Sequence, residues 1–159
     1  MKSGQLLNQV ELVRALTLET FDSLTEEMAD IIPAGFNNNI RWNLGHILIV
    51  QDQLAAQFAS IPAQLPIDFM TLFGNHTSPR DWNRQVPTLE QLANELRNQV
   101  GHIRGHLENR LEEAARKPFK RLDYRMETIG EILAFSLHHE GLHLGVIGSL
   151  RKAIQSGSY

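Results

Sequence analysis

The sequence predicts an all-α fold, a four-helix bundle with one long crossover between its second and third helices. Three observations carry the prediction. Four segments repeat apolar residues at three- and four-residue steps; the later three open on helix-capping chemistry; and one irregular stretch, residues 61–87, separates the middle two. At 159 residues, with 42% hydrophobic and 21% charged content, the chain reads as a single domain, 1–159, able to bury a sizeable core.

The first segment places Leu6, Val10, Val13, Leu16, Leu24 and Met28 on one stripe and ends before Pro33-Ala34-Gly35. The second follows Asn37-Asn38-Asn39, whose side chains suit an N-cap, and runs through Trp42, His46, Ile49, Val50 and Leu54 to about Ser60. The third starts from Thr88, with Leu89, Leu92, Leu96, Val100, Ile103, Leu107 and Leu111 as its stripe. A Thr128-x-x-Glu131 capping box opens the fourth, which ends near Gln155. The stretch between the second and third is too long for a bundle turn, so it crosses the bundle, with a short helix expected around Ile67 to Phe73. With such a crossover the two flanking helices can run parallel. No strand, repeat or low-complexity tract is predicted.

Composition excludes several classes of function. A net charge of -3 gives no electrostatic basis for nucleic-acid binding, and Arg97, Arg104 and Arg110 are interleaved with Glu95, Glu108 and Glu112. No apolar run approaches the roughly 20 residues of a membrane span, and the start lacks a signal-peptide pattern, so a cytoplasmic protein is expected. There is no cysteine, which removes disulfides, thiolate ligands and any intrinsic thiol nucleophile.

The chemistry concentrates in HHEGLHLGVI, residues 138–147. At about 100° per residue, His139 and His143 fall on one helical face, in the middle of the stripe formed by Ile132, Ser136, Ile147 and Leu150. His138 points away. His46 lies on the inward stripe of the second helix beside Trp42, Asn39, Asn43, Val50 and Gln53, a face too polar for packing alone. Three inward histidines with no carboxylate on their stripes read as a metal site with open coordination positions. Glu140, at the stripe edge, is the candidate hydrogen-bond partner for a ligand histidine, or simply a charge there. HEGLH also matches the zinc-protease pattern, but the remaining tail offers no third ligand and no strand is expected beside it. His102 and His106 form a second HxxxH at the margin of the third helix, read as a surface pair, and His76 is a loop histidine. Ala134, Gly141, Gly145 and Gly148 gather on the far side of the fourth helix; they suit either an intersubunit contact or tight packing on a neighbouring helix.

The combination of NIRWNLGHIL, LFGNHTSPRDW and HEGLHLGVI resembles the DinB-like (DinB/YfiT-like) superfamily of metal-binding four-helix bundles, over nearly the whole chain. The resemblance implies His46, His139 and His143 as ligands of a divalent transition metal, zinc or nickel, and a homodimer. Relatives of known function include transferases and isomerases that use a low-molecular-weight thiol such as bacillithiol or mycothiol. A thiol-dependent transferase is therefore the leading expectation, with Arg41, Trp42, Asn43 and Gln53 as candidate contacts to the thiol. A metal-dependent hydrolase and a non-catalytic metal- or ligand-binding bundle are the alternatives.

Overall fold

Three of the four long helices begin where their capping residues place them. In the computed structural model, which describes residues 3–157 (Ser3 through its backbone alone), α1 spans Ser3–Glu19, α2 Glu26–Asp30, α3 Ile40–Ala59, α4 Asp68–Phe73, α5 Leu89–Leu107 and α6 Ile129–Gln155. Asn39 caps α3 by accepting from the Trp42 N–H at 2.8 Å. Thr88 with Gln91, and Thr128 with Glu131, form reciprocal capping boxes at α5 and α6. The short helix of the crossover is α4.

Two expectations are corrected. The first apolar segment is not one helix: α1 ends at Glu19, a 3₁₀ turn covers Thr20–Ser23, and Thr25 caps α2 by accepting from Met28 N–H. Its inward face is Leu6, Leu7, Val10, Arg14 and Thr17, whereas Leu16 is 42% exposed. Secondly, a two-stranded antiparallel sheet, β1 (Ala114–Arg121) and β2 (Tyr124–Thr128), lies between α5 and α6. Phe119 of β1 pairs with Met126, and the register is irregular between Ala114 and Phe119. Its ring packs against Phe58 of α3 and Phe135 of α6 at centroid distances of 5.4 and 4.9 Å. The hairpin thereby covers the seam between the two helices that carry the histidines. The fold is mostly helical with this small sheet added. No helix among the described residues is long and apolar enough to cross a membrane.

The long helices touch in the pairs α1–α5, α1–α6, α3–α5 and α3–α6. They enclose two apolar clusters. One contains Leu44, Leu48, Phe73, Leu92, Leu96, Ile147 and Leu150; the other contains Leu7, Val10, Ile103, Leu107, Ile129 and Leu133. Residue order shows that α3 and α5 run from the first cluster to the second, while α1 and α6 run the other way. Helices α3 and α5 are therefore parallel, as the crossover between them permits.

A polar layer separates the clusters. Arg14, 1% exposed, donates to Glu140 Oε1 at 2.8 Å and Oε2 at 3.1 Å, to Leu96 O at 2.7 Å, and to the side-chain carbonyls of Gln51 and Gln99 at 2.8 and 3.2 Å. Thr17 donates to Glu140 Oε1 at 2.8 Å, and Gln99 donates to Leu48 O at 3.0 Å. One guanidinium thus joins α1 to α3, α5 and α6. Every buried side-chain nitrogen and oxygen among the described residues has a partner.

Removing one member of this pair strands the other in the interior, so Arg14→Met is expected to destabilise the protein by about 3–5 kcal/mol in urea denaturation. Adding Glu140→Leu to Arg14→Met should recover much of that loss, because the uncompensated charge is then gone.

Candidate metal centre

Helices α3 and α6 bring His46, His139 and His143 together. One ring nitrogen from each lies within 4.8 Å of the others, and the ring centroids are 4.5–5.1 Å apart. His46 is 4% exposed; His139 and His143 are partly buried. The group is close enough for a single ion to be reached by all three, and it is the only such group of three among the described residues.

Neighbouring groups set the chemistry of two rings. His46 Nδ1 lies 2.6 Å from the Phe73 carbonyl oxygen, which can only accept, so His46 carries its proton on Nδ1 and leaves Nε2 as a lone pair. His143 Nδ1 lies 2.7 Å from Asn43 Oδ1. Asn43 donates through Nδ2 to Asn39 O at 2.7 Å, so its own oxygen must face the histidine, and His143 is likewise protonated on Nδ1. Such oxygen acceptors behind imidazoles orient the rings and raise their basicity toward a cation.

The supports come from the crossover. A Cβ at Gly45 would sit 2.3 Å from the Phe73 ring, so only glycine lets α4 approach α3 this closely. That approach delivers the Phe73 carbonyl to His46, one residue on. Trp42 lies flat on His46, with centroids 4.4 Å apart and planes 14° apart, and its Nε1 donates to Thr77 Oγ1 at 2.8 Å. Trp82 Nε1 donates to Leu72 O at 3.0 Å and its ring packs edge-on against Phe73.

The remaining expected site residues separate by position. Gln53 lines a cavity of about 410 Å³ that reaches His139, and it donates to Met70 Sδ at 2.9 Å. Trp42 and Asn43 are buried walls and supports of the histidines. Arg41 is fully engaged away from them: it bonds Asp30, Glu26 and the Pro87 carbonyl, clamping α2 and the start of α5 to α3. The Glu140 carboxylate is held by Arg14 and Thr17 instead of a histidine. This also leaves HEGLH without a free glutamate, although the absence of a strand no longer counts against a protease. His138 is exposed, and His76 is exposed in its loop. His102 and His106 bond the Pro62 and His102 carbonyls, with no third donor beside them among the described residues.

Sequence reasoning missed Phe119, Arg121, Phe135 and Asn75, which line the same cavity as His139. Phe135 was within reach, at i−4 from His139. The hairpin residues had no signal apart from a local excess of basic charge.

On α6, a methyl group placed on Gly141, Gly145 or Gly148 would meet no atom within 4 Å beyond the helix's own backbone, so among the described residues no other helix packs tightly there. Leu142 and Val146, adjoining it on the solvent-facing surface of α6, are 57% and 38% exposed.

Burial lowers the proton affinity of all three imidazoles. His139 is brought to about 4 by desolvation, then by His46 and His138; His143 is brought to about 3 by desolvation, then by His139 and His46. His46 is lowered by desolvation against the opposing pull of the Phe73 carbonyl. In the unfolded chain these groups take up protons near their ordinary value of about 6.5, so below that pH the unfolded state binds more protons. Stability of the metal-free protein should be full above about pH 6.5 and fall as the pH drops toward 4. Urea midpoints at pH 7, 5.5 and 4 measure this, and His143→Asn should flatten the profile.

The sequence matches the model of the family described as the DinB superfamily over residues 9–147. No curated protein matches it. Among solved structures, the crystal structure of a conserved protein from Enterococcus faecalis superposes with a TM-score of 0.64 at 16% identity. That alignment covers 98% of this chain and 99% of the other, a likeness of fold. With the family match extending over most of its length, the chain belongs to the DinB superfamily.

Proposed function

We propose that His46, His139 and His143 hold a divalent transition metal, zinc or nickel, in a four-helix bundle made by α1, α3, α5 and α6. On this reading the protein is a transferase that acts with an external low-molecular-weight thiol. The observation that carries the proposal is the pair of acceptors on Nδ1 of His46 and His143, which leaves Nε2 lone pairs on rings packed beside His139. Imidazole donors of this kind suit zinc, nickel, copper and iron. A bound divalent ion would supply Lewis acidity and keep a coordinated thiol deprotonated at neutral pH.

The chain's own residues supply the rest. Depressed proton affinity keeps the imidazoles neutral, and therefore competent as donors, through the physiological range. Trp42 shields one face of His46 from water, and Asn43 holds His143 in place. The cavity against His139 gives a substrate or thiol room on one side of the cluster, with Gln53 and Asn75 as polar contacts. Because the chain has no cysteine, the nucleophilic sulfur must come from outside. A hydrolytic reading needs a free general base at the cluster, and Glu140 is tied to Arg14. We further propose a homodimer through the exposed side of α6 around Gly141, Leu142, Gly145 and Val146.

Metal analysis of purified variants tests the ligand set. His46→Ala, His139→Ala and His143→Ala are each expected to lose metal, whereas His138→Ala and His102→Ala keep it; full retention in His46→Ala overturns the assignment. Titrating cobalt-loaded protein with bacillithiol, mycothiol and glutathione tests the thiol. A change in the visible spectrum with one of them is expected, and silence with all of them removes the transferase reading in favour of a metal- or ligand-binding role.

A further inference from the structure

The cavity that reaches His139 is neither neutral nor uniformly polar. Phe119 of β1 and Phe135 of α6 form an aromatic wall with Phe58, while Gln53, Gln57 and Asn75 supply amides. Among the described residues, Arg121 is its one permanently charged lining residue and no carboxylate lines it. A volume of about 410 Å³ lies within the range of small-molecule sites.

Arg121 differs from most of the arginines in this chain. Arg14, Arg41, Arg84, Arg104, Arg110 and Arg125 all pair with carboxylates. Among the described residues, no ion pair engages Arg116, Lys117, Lys120 or Arg121, the four cations of β1. Arg116 and Lys117 border a second cavity of about 260 Å³, which shares Gln57 with the first. In a chain of net charge -3, a strand with four unneutralised cations beside an aromatic-walled cavity is a local inversion of the overall charge.

We propose that this cavity binds a small organic acid, its carboxylate on Arg121 and its apolar body against Phe119 and Phe135. The guanidinium offers a planar fork matched to a carboxylate, and the aromatic wall receives the apolar body beside it. The amides of Gln53, Gln57 and Asn75 hold polar groups along the body. The opposite end of the ligand lies at His139, a placement that rests on the metal reading above; the carboxylate contact does not. The thiol or the acceptor of the proposed transfer is thereby narrowed to a carboxylate-bearing molecule.

Two matched probe pairs separate the contributions. Cobalt-loaded protein is titrated with 4-(mercaptomethyl)benzoate and 4-(mercaptomethyl)benzamide, and metal-free protein with 4-ethylbenzoate and 4-ethylbenzamide by calorimetry. In both series the acid is expected to bind about tenfold more tightly than the amide. Arg121→Gln should abolish that preference by weakening the acid far more than the amide, and Arg125→Gln, on the other strand and paired with Glu127, should keep it. An acid preference sensitive to Arg121 in the metal-free series, with no cobalt response to either thiol, supports the carboxylate site and rejects the metal–thiol reading. Equal binding of acid and amide in both series, or a preference that survives Arg121→Gln, overturns the proposal.

Discussion

The guanidinium of Arg14 is the constraint from which the rest of the architecture follows. It is a charge held away from water, tolerable only because its donors meet the Glu140 carboxylate, the side-chain carbonyls of Gln51 and Gln99 and the Leu96 carbonyl. Those acceptors lie on α3, α5 and α6, so satisfying one side chain of α1 sets how each of the other long helices is rotated and where it stands along its axis. Apolar contacts alone would accept several such arrangements. On α6 the consequence is immediate. Glu140 sits between His139 and His143, and a helix turned to present it to Arg14 also directs the two histidines toward α3.

The histidine cluster is a case of local order assembled from distant parts. Three rings packed together in a desolvated place resist protonation, which is unfavourable for a charge and favourable for a lone-pair donor. Their orientation is supplied from elsewhere: Phe73 from the crossover, Asn43 from the first turns of α3, and Thr77 through Trp42. Residues outside the cluster itself therefore hold its geometry. The open side faces the hairpin, whose aromatic and basic residues define what can approach.

Much of the helical scaffold was legible because its signals are local. Asn39, Thr88 and Thr128 announce helix starts through bonds within three residues, and the i, i+4 spacing of His139 and His143 places them on one face whatever the tertiary structure. Helix α1 was harder. Leu24 and Met28 keep the spacing of Leu6 and Val10, which hid the break, although Thr25-Glu26-Glu27 is itself a helix-start signature. Arg14 lies at i+4 from Val10 on the buried face, but a charge there reads as exposed until its partners, up to 126 positions away, are known. The hairpin escaped for a different reason. Its turn places Leu122 at φ 54°, where Asn or Gly is the usual marker, and Pro118 interrupts the alternation of β1. Without the hairpin, the cavity and Arg121 could not be inferred.

Gly45 bears on how this arrangement can be inherited or rebuilt. It admits the Phe73 ring against α3, and the same residue's backbone serves His46, so a packing choice and an electronic choice are made by one position at the end of α4. Transplanting the three histidines onto another pair of antiparallel helices would reproduce the spacing and lose the tautomer. The transferable unit is larger than its donor atoms: it includes α4 and the turn to Trp82. In lineages that share this chain's plan, α3 and the crossover are expected to drift together, with a bulkier residue at 45 tolerated only alongside a retreat of the segment that carries Phe73.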